Sequence, residues 1–421
     1  MAIAVFMVAV VALVWRPPGS GPAGERAIPW LSPSPALVGD ELGHVHCAST
    51  FTRLFFVERD FSHHLWAEPM NAYGRFEPRV THYTLGALFY LTHDVAGQVW
   101  GSGPITCEDA HQRVCDERVH FQLFKAAVGG LAAVCVVLMV LLVHAEVGAV
   151  GAAVAGALLL VNPLFRLVAS SLVRETPVLL YSLLAFALLE LAHRRFSGRF
   201  PFGLFIAVGL AAGLAVSCGL YAFPVYPAVL VAILLRGRAR VWAALAACAV
   251  VVLVGLAVFY GTNPLLWQDL QGGLFSLTTG HFVEDTGSAG LREWGLLSYL
   301  ASYPLLMVGG RALVLTNELP PVAGSSLPLV VVGWGLALWA LYGLRGGRGL
   351  VPALWFAASV VWTGFIVVSR PAEFLSAKLF VLPAVALVWL VGVRCGTVAT
   401  QLSSWFSSTP SGPPPPAAPA D

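Results

Sequence analysis

The sequence predicts an all-α polytopic membrane protein, a bundle of about ten membrane-crossing helices. Three observations predict it. Of 421 residues, 58% are apolar, only 11% are charged, and the mean hydropathy is +0.79. A soluble domain carries about a quarter charged residues, so this chain has too few to cover a water-facing surface of its size. The same composition excludes a disordered chain and a small disulfide-rich domain. A net charge of +2, from 24 basic and 22 acidic residues, offers no basic surface to nucleic acid.

A helix that crosses the hydrocarbon needs about 20 apolar residues. Runs of this kind occupy 1–15, 119–143, 147–165, 176–192, 201–218, 221–235, 241–260, 328–344, 350–369 and 379–394. The first ends at Trp15-Arg16-Pro17-Pro18 and has no basic residue ahead of it. It reads as a short first helix or a late start rather than a cleaved signal. Two further stretches are weaker: 83–98 carries His93 and Asp94, and 296–315 is broken by Pro304, Gly309, Gly310 and Arg311.

The basic loops decide how these stretches are used. Arg194-Arg195…Arg199, Arg236-Gly237-Arg238-Ala239-Arg240 and Arg345…Arg348 are short and basic, which puts them in the cytoplasm by the positive-inside rule. All three fall on one side if 83–98 and 296–315 lie along the interface instead of crossing. The expected layout is a membrane domain over 1–394, with external segments 16–118 and 261–327, followed by a Pro-rich cytoplasmic tail over 395–421.

This layout gathers the polar chemistry. Segment 16–118 and its immediate end hold more than half of the acidic residues and most of the 11 histidines, while the spans are nearly free of charge. Transporters usually keep their polar groups at mid-membrane in short-looped bundles, so the pattern favours a reaction or binding event at the outer surface. Cys107 and Cys115 share this segment, where a local disulfide is the natural reading and a Cys/His metal site the alternative.

Four constellations carry candidate chemistry. Asp40-Glu41 follows the first span, and one carboxylate near a low-dielectric boundary makes a serviceable general base; the plain alternative is a pair of solvated loop acids. His44 and His46, close behind, could join them around a divalent cation. Arg174-Glu175, with Arg166 upstream, sits between two spans, where ionisable groups default to function. The alternative there is that Arg174 snorkels and Glu175 caps a helix beginning at Pro177. Arg370, Glu373 and Lys378 precede the last span and suit a lipid phosphate or simple interface anchoring. Asn263-Pro264…Trp267…Asp269, with Trp294, Tyr299 and Tyr303, reads as an aromatic belt. No nucleotide-cradling loop, zinc-protease motif, nucleophile elbow or internal repeat is present.

Taken in order, these pieces resemble the C-type (GT-C) glycosyltransferases that use polyprenyl-phosphate sugars, such as protein O-mannosyltransferases and aminoarabinose transferases. Gly39-Asp40-Glu41 is similar to the family's acidic pair. Thr81-His82-Tyr83-Thr84-Leu85-Gly86 resembles its His-Pro-Pro-Leu-Gly helix start, with Tyr83-Thr84 in place of the prolines. Pro163…Arg174-Glu175-Thr176-Pro177, Asn263-Pro264…Trp267…Asp269 and Lys378-Leu379-Phe380-Val381-Leu382-Pro383 are similar to later segments of the family.

The resemblance implies a GT-C-like bundle that takes a polyprenyl-phosphate sugar donor and a hydroxyl acceptor at the outer face of a bacterial-type cytoplasmic membrane. It implies that Asp40 deprotonates the acceptor, which attacks the anomeric carbon with inversion. Arg174, Arg370 or Lys378 would stabilise the departing phosphate, and Glu41, His82 and Glu175 would orient the substrates or a divalent cation. Metal dependence is left open, and membrane lipid is the surrounding partner. Two competing readings are a transporter or lipid flippase and a non-catalytic membrane scaffold.

Overall fold

A computed structural model describes residues 2–15, 41–62, 78–100, 118–195, 201–275, 327–342, 348–369 and 380–407. Every regular element among them is a helix. Four helices are long and apolar enough to cross a membrane: α4 (Arg118–Val147, apolar from His120), α7 (Glu175–Arg195), α10 (Val241–Gly261) and α15 (Val381–Ser407). A bent pair, α5 (Ala149–Val161) and α6 (Pro163–Ala169), makes a fifth. Shorter apolar helices are α1 (Ala2–Val14), α8 (Phe202–Cys218), α9 (Val225–Arg236, with the turn Leu220–Ala222 before it), α13 (Leu327–Tyr342) and α14 (Leu350–Ser369). Each of the ten expected crossings thus falls on an apolar helix, and the chain is an integral, multi-pass membrane protein. The remaining helices are α2 (Glu41–Thr52), continued by a π-helical turn over Arg53–Glu58, then α3 (Val80–Trp100), α11 (Leu265–Gln268) and α12 (Leu270–Phe275).

The spans differ sharply in how they meet their surroundings. Over its most apolar window α15 is 78% buried, and α10 only 22%. α15 packs on α4, α5, α13 and α14, and its Trp389 closes an aromatic triangle with Phe186 of α7 and Trp355 of α14 at centroid distances of 4.9, 5.7 and 6.4 Å. α10 is held on its small-residue face by α8, where Gly213 meets Gly255 backbone to backbone, and by α9, whose Tyr226 ring reaches Gly255. Its other face presents Trp242, Leu253 and Leu256 outward. That face would be a large apolar patch in water, and it is an ordinary lipid-facing surface in a bilayer.

The stretch 147–165, expected as one crossing, is bent by 68° at Asn162-Pro163. Proline pushes the residue before it out of the helical region and removes a donor. Asn162 is extended (φ −62°, ψ 120°), and its Oδ1 accepts from Phe165 N–H at 2.9 Å, capping the new helix α6. α6 then ends where the hydroxyls of Ser170 and Ser171 bond back to the Arg166 and Leu167 carbonyls. This bend carries the chain round to begin α7 at Glu175, two residues earlier than a Pro177 start. α15 likewise outruns its expected end at 394 and continues to Ser407. Arg394 lies over the Trp339 ring (5.3 Å), and Thr397 and Thr400 return their hydroxyls to the helix's own carbonyls.

Candidate functional site

α7 runs from Glu175 to Arg195, about 30 Å at 1.5 Å per residue, so it defines two ends of the bundle. At the Glu175 end, the start of α3 is tied to three other helices. Thr81 Oγ1 donates to the Cys218 carbonyl at the end of α8 (2.8 Å). Tyr83 Oη donates to the Thr262 carbonyl just past α10 (3.0 Å). Thr84 Oγ1 lies 3.1 Å from Tyr181 Oη on α7. Burial pushes the Tyr83 phenol far above its usual range, so it remains a donor. The two residues that replace the prolines of the resembled helix start therefore do the docking. Just ahead of α3, Arg79 N–H donates to Asn263 Oδ1 at 3.0 Å.

α2 closes against α3 at the same end. Thr52 Oγ1 donates to the His82 carbonyl at 3.1 Å. A Cβ on Gly86 would collide with the Thr52 side chain and the Ala48 carbonyl, so only glycine permits this approach. His82 is fully buried, with Phe51 and His44 rings at 5.6 and 6.0 Å. Arg79, 2% exposed, lays its guanidinium 4.0 Å over Phe51. Further along, His120 on α4 meets the Phe89 carbonyl through Nε2 at 3.1 Å, and Lys125 is buried one turn beyond.

Arg174 and Glu175 complete this end. The Arg174 guanidinium sits 5.4 Å from the Tyr221 ring centre, and Tyr221 follows Cys218 by three residues. Arg174 and the Thr81–His82 segment are thus both anchored on the end of α8. Arg174 Nε is 3.8 Å from Glu175 Oε1. Glu175 is 3% exposed, and its Oε2 is buried with no hydrogen-bond partner among the described residues. Buried carboxylate oxygens are ordinarily hydrogen-bonded, which makes Glu175 Oε2 a candidate contact for a bound molecule. Next to it, Thr176 Oγ1 donates to the Val168 carbonyl (2.9 Å), which fixes the first turn of α7 on α6.

Of the residues expected from sequence, His82, Arg174 and Glu175 come to this one end. Glu41 opens α2, and nothing is described of its side chain. Asp40, Arg370, Lys378, Cys107, Cys115, Trp294, Tyr299, Tyr303 and the stretch 296–315 lie outside the described residues. Arg166 is exposed on α6, away from this cluster. Among the described residues no three His, Cys, Asp or Glu side chains group to hold a metal. Sequence reading passed over Arg79 and Lys125. Lys125 carried a signal, since it is one of two lysines in the chain and lies early in a long apolar run. Arg79 carried none, because its setting is made by Phe51 and Asn263, distant in sequence.

With this geometry established, the chain can be compared with known proteins. No protein-family model and no curated protein matches it. Solved structures do. ArnT from Cupriavidus metallidurans, bound to undecaprenyl phosphate, aligns at 17% identity with a TM-score of 0.55, covering 96% of this chain and 61% of that one. Archaeal oligosaccharyltransferase AglB from Archaeoglobus fulgidus, in complex with an inhibitory peptide and a dolichol-phosphate, aligns at 12% identity with a TM-score of 0.55, covering 96% and 51%. The fold is that of the C-type glycosyltransferases. The chain spans only about half to three-fifths of the length of these neighbours, so it matches them as a membrane bundle and not over their whole extent.

Proposed function

We propose that the chain transfers a sugar from a polyprenyl-phosphate donor to a hydroxyl acceptor at the outer face of a cytoplasmic membrane, with inversion at the anomeric carbon. The observation that carries this reading is the fold match over 96% of the chain to two proteins whose structures hold undecaprenyl phosphate or dolichol-phosphate. The Glu175 end of the bundle supports it: a buried carboxylate with one open oxygen beside an arginine held on a tyrosine face.

In this reading Asp40, directly ahead of α2, takes the acceptor proton as the acceptor oxygen bonds to the anomeric carbon. The carbon–phosphate oxygen bond breaks at the same centre, and the electron pair leaves on the lipid phosphate. A guanidinium pairs well with phosphate oxygens, so Arg174 stabilises that leaving charge, helped by Arg370 and Lys378 on the segment before α15. Glu175 accepts from a donor or acceptor hydroxyl, and His82 and Glu41 shape the neighbouring wall. α3 lies along the interface as the floor of the site.

The test is sugar transfer by the purified full chain in lipid, supplied with polyprenyl-phosphate sugars and a hydroxyl acceptor. Product with inverted anomeric configuration, lost in Asp40→Asn at unchanged expression and thermal midpoint, is the expected result. Transfer that survives Asp40→Asn removes the base assignment. Absence of transfer from a panel of polyprenyl-phosphate sugars, together with no binding of the lipid phosphate itself, removes the function.

A further inference from the structure

A row of aromatic rings leads from the buried His82 to the outside of the molecule. Phe51 and Phe55, four residues apart on α2 and its π-helical turn, stand against the His82 and Tyr83 rings at centroid distances of 5.6 and 4.7 Å. Beyond Glu58 the chain reverses. Arg59 takes a left-handed backbone (φ 55°), and its N–H and that of Asp60 bond back to the Leu54 carbonyl. This turn brings Phe61 to 5.4 Å from Phe55 and 5.0 Å from Trp267, edge to face in both pairs. Trp267 is fixed in place, since its Nε1 donates to the Tyr260 carbonyl at 2.8 Å. The neighbouring Gln268 Nε2 donates to the Phe61 carbonyl at 2.6 Å. Exposure rises along the row, from 3% at Phe51 to 37% at Trp267, and Phe56, which meets Tyr83 at 5.4 Å, is 56% exposed. The row thus ends in an open aromatic face.

We propose that this face binds a sugar ring of the acceptor, which makes the acceptor a glycan of more than one residue. The inference rests on sugar transfer as proposed above and names the acceptor's class. Two features select this occupant. The first is a charged rim: Arg53 and Glu58 pair at 3.0 Å, and both are exposed, as are Arg59 and Asp269. Such a rim holds the face out of the hydrocarbon, which disfavours a polyprenyl or acyl chain. A sugar ring matches both parts. Its polarised C–H face packs on the negative face of an aromatic ring, and its hydroxyls bond to the surrounding charged groups. The second feature is rigidity. A belt tryptophan leaves its polar edge to the headgroups, whereas Trp267 uses its N–H on Tyr260. A ring already held in place loses little freedom when a ligand packs on it. Because the row starts at His82, a glycan stacked at Trp267 has a path back to the proposed reaction.

Saturation-transfer NMR on the full chain in lipid nanodiscs tests it, with neutral mannose, glucose and galactose hexasaccharides offered beside the corresponding monosaccharides. At least one hexasaccharide should bind, more tightly than its monosaccharide, with saturation strongest on the C–H protons of one ring. Trp267→Leu, which keeps apolar bulk but removes the ring, should weaken that binding about three- to tenfold. Trp267→Phe should retain most of it. Phe56→Ala, at a side chain that is largely exposed, should also weaken binding while the thermal midpoint stays unchanged, which separates the effect from misfolding. No hexasaccharide bound, or wild-type affinity in both Trp267→Leu and Phe56→Ala, overturns the proposal. Quenching of Trp267 fluorescence by brominated phospholipid, read as the difference from Trp267→Phe, would make the face a membrane anchor and also overturn it. Hexasaccharide binding by a chain that transfers no sugar removes the reaction and leaves the glycan face standing. Transfer with no glycan bound does the reverse.

Discussion

The two ends of α7 use the same kinds of side chain in opposite ways. At the Arg195 end, Arg194 and Arg236 are satisfied by Glu190, and Glu146 accepts from Gly349 N–H at 3.1 Å, tying α4 to the start of α14. The cations there are partly exposed, neutralised by carboxylates, and join helices. At the Glu175 end, Arg79 and Arg174 lie over aromatic rings, and the helices are joined instead by neutral hydrogen bonds from Thr81, Tyr83 and Asn263. The lesson is a division of labour. At one end neutral bonds hold the scaffold and the arginines lie over aromatic rings; at the other, charge pairs hold the scaffold.

Substitutions at the two ends should therefore separate activity from stability. The largest effect is expected from Asp40→Asn, which should reduce sugar transfer by about 10²–10⁴-fold, the usual share of a general base, with the thermal midpoint in detergent unmoved. Arg174→Gln follows. Loss of one charge stabiliser should lower turnover by about 10²–10³-fold, again with little change in midpoint, and measured turnover near wild type would mean that Arg174 only anchors the interface. Asn263→Ala sharpens the comparison from the structural side. It strips the partner from a buried Arg79 N–H and should destabilise the fold by about 1–3 kcal/mol, read as a lower midpoint by scanning fluorimetry. The smallest effect belongs to the other end. Glu190→Gln weakens a pair whose Arg194 side is half exposed and screened, so the change in stability should be about 1 kcal/mol or less, with transfer preserved. A large loss of transfer in Glu190→Gln would break the division between the ends.

Much of this was legible in the sequence, for identifiable reasons. Spans were legible because lipid demands long apolar runs whatever the tertiary arrangement, and each expected crossing falls on a helix. The break at Asn162-Pro163 was in principle readable, since the proline is there, but an apolar count passes straight over it. Arg174 and Glu175 stood out because ionisable residues beside spans are rare. Arg79 did not, since its role comes from Asn263, 184 residues away, and from Phe51 on a separate helix.

The sequence by itself determined the solvent and the inventory of this protein: a bilayer, about ten apolar helices, and a scarcity of charge that makes each remaining ionisable group conspicuous. The tertiary structure decided which helices are neighbours and which charges are structural. Nearly all faces of these spans are apolar, so hydropathy carries no information about which face meets which helix. That choice is made by close fits, such as Gly86 against Thr52 and Gly213 against Gly255, which exist only once the helices have met.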